Sequence, residues 1–176
     1  SAPWQRSRFS YYTEHAPGND YADIFRESPG IATCSKQDPP SEGASSAGIR
    51  SSRELVLRVA DLADASGYLE LGLTIVSPDV DVLAHSVDRS GNEVYELRFR
   101  DLRTGADLAE AVPRTYYGGA WSADSQWFFY TVHDAAYRPH QVWRHRLGTP
   151  VAEDVLVLEE PDERFELTLR ATRSGG

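Results

Sequence analysis

The chain has 176 residues, enough for one ordinary domain with a sizeable core, and its 40% hydrophobic and 26% charged residues give a globular profile. A formal net charge of −9 sets it against phosphate backbones, so no nucleic-acid partner is expected. No apolar run reaches the length of a membrane-spanning helix, and a single cysteine, Cys34, leaves nothing for an internal disulfide to join.

Taken in chain order, short strand-like runs dominate. Phe9-Ser10-Tyr11-Tyr12-Thr13 and Tyr21-Ala22-Asp23-Ile24-Phe25 flank the turn-forming cluster Ala16-Pro17-Gly18-Asn19-Asp20 and read as a hairpin. Residues 28–52 are rich in Ser, Pro and Gly and nearly empty of apolar side chains, so they predict a long flexible loop. Leu55–Val59 is β-prone, and Asp61–Ala65 is one helical turn or a loop. Further strands are predicted at Leu71–Val76, Val82–Val87, Val94–Arg100, Tyr117–Trp121, Trp127–Val132, Gln141–Leu147, Val155–Leu158 and Phe165–Leu169. Ser77-Pro78-Asp79, Arg89-Ser90-Gly91-Asn92, Thr104-Gly105, Ser122-Ala123-Asp124 and Gly148-Thr149-Pro150 punctuate them. Without a sustained 3.6-residue apolar period, the chain reads as all-β.

An internal repeat narrows the fold. Displaced by 45 positions, Val76-Ser77-Pro78-Asp79 falls on Trp121-Ser122-Ala123-Asp124, and Val82–Val87 falls on Trp127–Val132. Leu97 falls on Val142, Leu102 on Leu147 and Thr104 on Thr149. Gly18-Asn19-Asp20-Tyr21 lines up with Gly91-Asn92-Glu93-Val94 at a larger offset, the excess being about the length of the loop. Four short strands per unit at such a period mark a β-propeller blade, the alternative being a β-sandwich with chance similarity. The expected architecture is a partial β-propeller, about three to four four-stranded antiparallel blades of a seven-bladed ring. Its parts are a partial first blade at 1–60 containing the 28–52 loop, a second blade at 61–113, a third at 114–164 and the start of the next at 165–176. Such an open ring, in a chain that starts at Ser1 and holds no Met, is expected to be a fragment.

The wording of these strands resembles a known family. Phe9–Thr13, Val76–Asp79, Ala84-His85-Ser86-Val87-Asp88 and Gly91-Asn92-Glu93-Val94-Tyr95-Glu96-Leu97-Arg98 resemble the first propeller blades of oligopeptidase B-type members of the prolyl oligopeptidase family of serine peptidases. So do Asp101–Gly105, Gly119–Ser125 and Phe129–Val132. The most specific stretch is Val142–Thr149 with Ala152–Val157 and Glu160-Pro161-Asp162-Glu163-Arg164-Phe165. The resemblance covers roughly residues 4–27 and 54–165; residues 28–52 and 166–176 depart from it. It implies a two-domain enzyme, in which a seven-bladed propeller covers an α/β-hydrolase domain holding a Ser-Asp-His triad. It implies cleavage of short peptides after Arg or Lys, with the propeller restricting access.

None of that chemistry is readable in this chain. No G-x-S-x-G nucleophile elbow is present, and Gly43-Ala44-Ser45-Ser46-Ala47-Gly48 has the wrong spacing inside the loop. Cys34 has no nearby His and reads as a free surface thiol. Of the five histidines, His15, His85, His133, His140 and His145, His133 with Asp134 suggests an acid–base pair, but neighbours on a strand point to opposite faces. No zinc spacing occurs. Arg144-His145-Arg146 and the acidic turn Glu159, Glu160, Asp162 and Glu163 read as solvated surface, and Trp121, Trp127, Tyr116 and Tyr117 as inter-blade core. The expectation is therefore no catalytic, cofactor-binding or metal residue and no cofactor. The expected partners are a hydrolase domain carried elsewhere and the peptide substrates of the complete enzyme, with no membrane. A reducing, cytoplasmic location is expected from the cysteine usage. The expected role is a non-catalytic lid and substrate-size filter; the alternatives are a free-standing interaction module that closes by oligomerising and a degenerate gene fragment.

Overall fold

The computed structural model describes residues 3–29, 52–65 and 67–172. Two compact units, Ser1–Arg58 and Val59–Gly176, make up the chain. Cys34, the Gly43–Gly48 stretch and most of the expected loop lie outside the described residues.

The first unit is a four-stranded antiparallel sheet in the order β1-β2-β3-β4, formed by Trp4–Arg6, Phe9–His15, Ala22–Ser28 and Ser52–Leu57. The predicted hairpin is β2 and β3, and Tyr12 stands directly opposite Phe25 with ring centroids 5.9 Å apart. Such cross-strand aromatic pairs are the unit of sheet stabilisation. Two details correct the sequence reading. β1 completes the sheet where a partial blade was expected, because three residues are too few to show alternation. Ser28 and Ser52, the expected loop's two ends, are paired strand residues. Arg26 ties β3 to β4 through two hydrogen bonds to Glu54, at 2.8 and 2.9 Å, while its guanidinium lies 4.6 Å from the Phe9 ring centre.

The second unit holds two four-stranded antiparallel sheets. The first runs β5-β6-β7-β8, from Glu70–Val76, Val82–Asp88, Tyr95–Asp101 and Asp107–Thr115. The second runs β9-β10-β11-β12, from Gly119–Trp121, Trp127–His133, Pro139–Arg146 and Val155–Glu159. Val59–Leu62 and Val151–Glu153 are 3-10 turns. The strand β8 was not predicted. Its sequence contains Asp, Glu, two Ala and Pro113, all depleted in strands, and the proline is tolerated because β8 is the edge of its sheet. The expected strand Phe165–Leu169 is absent. That segment makes one backbone bond to the start of β11, Leu167 N–H to Pro139 O at 2.8 Å, and a single such bond builds no ladder.

The 45-residue repeat is reproduced bond for bond at the β5–β6 and β9–β10 turns. Ser77 N–H donates to Val82 O at 2.8 Å and Ser122 N–H to Trp127 O at 2.9 Å. Val82 N–H donates to Ser77 Oγ and Trp127 N–H to Ser122 Oγ, both at 3.0 Å. Each serine hydroxyl donates to the aspartate two residues on, Asp79 or Asp124, whose carboxylate also accepts a backbone N–H. Val80 (φ 61°) and Ser125 (φ 59°) occupy the same left-handed position, an unusual conformation for a β-branched valine. Leu102 N–H and Leu147 N–H close the same tie, to Asp81 O and Gln126 O.

The two sheets pack as neighbouring wedges. Leu73, Ala84, Leu97, Phe99 and Val112 of the first meet Trp121, Phe128 and Tyr130 of the second. Phe99 sits at the centre, edge-on to Trp121 and Phe128 at 5.8 and 5.7 Å and stacked on His145 at 5.4 Å. The Trp121 indole donates to Ile75 O at 2.9 Å, and Asp79 N–H donates to Ser125 Oγ at 3.2 Å. The leading strands β5 and β9 come close enough that a Cβ on Gly119 would stand 2.8 Å from Leu73 Cδ2 and 2.6 Å from the Phe128 ring. The whole is all-β, three four-stranded antiparallel sheets matching part of a β-propeller.

Candidate functional site

The strand ends divide the second unit into two rims. One carries the tight turns 77–81 and 122–126 and the connection 102–106 between β7 and β8. The other carries the connections 89–94, 116–118 and 134–138, and there the chain gathers its unspent polar and aromatic groups.

Five rings run across this second rim in unbroken contact. Tyr95 meets Tyr117 at 5.1 Å, Tyr117 meets Tyr116 at 4.6 Å, Tyr116 meets His133 at 5.1 Å and His133 stacks on Tyr137 at 4.8 Å. The pair Tyr116 and Tyr117 is thus not inter-blade core, as the sequence suggested. Both lie in the connection where the chain leaves β8 for β9, and Tyr117 is 46% exposed. Tyr116 donates to Glu93 at 3.4 Å; burial, reinforced by the charges of Glu93, Tyr117 and Glu166, raises its phenol pKa.

Beside the row lies a cavity of about 490 Å³, lined by Arg114, Val132, His133, Asp134, Tyr137 and His140 among others. A β-bulge brings Arg114 there. Tyr95 pairs with Thr115 and Leu97 with Val112, so Pro113 and Arg114 together oppose Glu96, a device that re-aims side chains. Asp134 is consumed internally. Its carboxylate accepts from Ala136 N–H, Arg138 N–H and the Arg138 guanidinium at 2.9, 3.1 and 2.9 Å. Burial alone would raise its pKa, but these donors outweigh it and hold the carboxyl below its ordinary range. Arg138 is itself saturated by the carbonyls of Glu160, Asp162 and Phe165. His133 and Asp134 form no acid–base pair: the ring Nδ1 donates to the Asp134 carbonyl at 2.7 Å.

The remaining candidates resolve differently. His145, expected on a solvated face with its two arginines, is fully buried. It projects from β11 towards Phe99, while Arg144 and Arg146 cover the other side over the Trp127 ring at 4.5 and 5.8 Å. Trp127 is therefore capped by cations and lies outside the inter-blade core, whereas Trp121 is within it. His145 Nδ1 is 2.7 Å from Asp154 Oδ1, and Tyr130 OH donates to Asp154 Oδ2 at 2.8 Å. Burial and that bond push the Tyr130 phenol upward. His85, one repeat before Tyr130, is also fully buried, and neither ring nitrogen has a hydrogen-bond partner among the described residues. Burial pushes its pKa down to about 4 against an opposing pull from Asp107. Three carboxylates of the acidic turn make local bonds, Glu159 to Gln141, Glu160 to Asp162 N–H and Asp162 to Arg164.

The sequence reading missed Arg114, Tyr130 and Asp154. Tyr130 carried a signal, its place opposite His85 in the repeat; Arg114 sits in the unpredicted strand, and nothing local marks Asp154. Among the described residues no three His, Cys, Asp or Glu side chains come together as a metal site. No helix among the described residues is long and apolar enough to cross a membrane.

The family described as prolyl oligopeptidase, N-terminal beta-propeller domain, matches residues 1–176. Protease 2 of Moraxella lacunata is 31% identical over 175 residues, 98% of this chain and 24% of that protein. Oligopeptidase B from Leishmania major superposes with a TM-score of 0.76 at 28% identity, over 94% of this chain and 21% of that one. Oligopeptidase B from Trypanosoma brucei, in a closed form with covalently bound antipain, gives 0.72 at 31% identity over the same shares. The chain thus spans about a quarter of the length of the curated relatives it matches.

Proposed function

The chain belongs to the family of prolyl oligopeptidase N-terminal β-propeller domains, and on that premise we propose that it is the non-catalytic lid of an oligopeptidase B-like serine endopeptidase. Its partner in this reading is an α/β-hydrolase domain carrying the nucleophile, and its task is to admit short peptides while excluding folded proteins. The peptides would be cut after Arg or Lys in a cytoplasmic setting. The observation that carries the reading is the pair of 45-residue blades with bond-for-bond equivalent turns, in a chain whose buried histidines are committed to packing. His145 is held by Asp154 between the sheets.

Such a lid binds and screens without making or breaking bonds. The purified chain is therefore expected not to hydrolyse an arginine-containing peptide ester or amide. Turnover that persists through further purification and resists serine-directed inactivators of contaminating peptidases would overturn the reading.

A further inference from the structure

We propose that the cavity between the β8 bulge and the β10–β11 hairpin is a carboxylate-binding site, with Arg114 as its anchoring cation. The Arg114 guanidinium has no ion-pair, hydrogen-bond or ring partner among the described residues, in a chain of net charge −9 where Arg26, Arg53, Arg89, Arg98, Arg100 and Arg103 are all paired. The one anion in the lining, Asp134, is held by Arg138 and two backbone N–H groups and does not compete for Arg114. His133 spends only Nδ1 on the Asp134 carbonyl, and His140 completes the polar lining beside it. The half-exposed Tyr137 ring, stacked on His133, supplies an apolar wall.

The chemistry selects among anions. A planar guanidinium matches a carboxylate in a two-point fork. One arginine beside two imidazoles in an acidic protein suits a single negative charge and opposes a phosphate dianion or a polyanion. A volume of about 490 Å³ lies in the range of small-molecule sites and holds the end of a peptide with room for a side chain on Tyr137. The ligand is thus the carboxylate of a short peptide, from its C-terminus or from an Asp or Glu side chain. This goes beyond the lid reading and stands or falls separately from it, since it concerns binding to this chain alone.

The test is a titration of the full chain, followed by calorimetry and by amide and aromatic NMR shifts, with three probes. They are an N-acetylated tripeptide with a free C-terminal carboxylate, its C-terminal amide, and an amidated tripeptide carrying one aspartate. The free acid is expected to bind at least about tenfold more tightly than its amide, with shifts at Tyr137 and His133. Arg114→Gln should reduce the acid to the level of the amide, and Arg114→Lys should recover part of the loss. Gln and Lys share arginine's unbranched backbone preferences at this left-handed position (φ 60°), and the acid-against-amide comparison needs no variant at all. Binding of the aspartate probe assigns the site to carboxylates in general, and its failure assigns it to C-termini; both support the proposal. Equal affinity for acid and amide, unchanged affinity in Arg114→Gln, or no binding of either carboxylate at millimolar concentration overturns it.

Discussion

The sheets β5–β8 and β9–β12 are built from one repeat, with the same turn bonds and a left-handed residue at the same position, yet they end differently. The outer strand of the first, β8, lies against β10 and the 151–153 turn of the second, and Val112 and Thr115 are buried there. In the outer strand of the second, β12, every residue is exposed, including Val157 at 50% and Leu158 at 51%. A blade therefore gains its buried surface from its neighbour rather than from its own four strands, as expected where each repeat contacts only the next.

The largest effect that would break this comparison is at Phe99. Its ring touches Trp121, Phe128 and His145 of the neighbouring sheet, so Phe99→Ala should cost about 3–5 kcal/mol. Leu158→Ala on β12 should cost under about 0.5 kcal/mol, since its side chain is half in water already. Urea midpoints of the two variants measure the difference. Comparable losses would mean that the two sheets do not support one another in solution.

Much of this fold was legible because it is written locally. The Ser-x-Asp turns need only side chains two residues apart, and their recurrence at 45 residues exposed the blade without any long-range information. The runs that became β2, β5, β6, β7, β10 and β11 are apolar or β-branched enough to be seen in isolation. What stayed hidden depends on neighbours. The strand β8 is held by β7 and by the second sheet, against its own composition. His145 looks like part of a charged surface run until β11 is placed with that face towards Phe99. Arg114 reaches its cavity through a bulge, a register slip that no residue on β8 announces by itself.

Position 85 and its repeat partner, position 130, give a sharper comparison. His85 is buried with its pKa lowered to about 4. In the unfolded chain it titrates near 6.5, so below that pH the unfolded state takes up a proton that the folded state refuses. The stabilisation is complete above pH 6.5 and is lost progressively as pH falls from 6.5 to about 4. That span corresponds to about 3 kcal/mol. Asp88, Glu96 and Asp101 are carboxyls held below their ordinary range, and they add a loss of the same sign at still lower pH. Comparing the natural chain with His85→Leu separates the two: the difference in unfolding free energy should change by about 3 kcal/mol between pH 7 and pH 4. A constant difference across that interval would show that His85 is solvated in the folded chain.

At position 130 the same place in the repeat carries a tyrosine that has found partners. Its hydroxyl donates to Asp154, which also holds His145, so the junction between the 151–153 turn and β12 is pinned to β10 and β11 at once. Tyr130→Phe keeps the ring in the inter-blade core and removes one buried hydrogen bond, an expected loss of about 1–2 kcal/mol. Because the two bonds share one carboxylate, the loss should be non-additive with His145→Gln, with a coupling of at least about 0.5 kcal/mol in a double-mutant cycle. Independent, additive losses would mean that Asp154 does not organise the pair, and that the outer strand is held by its ladder with β11 alone.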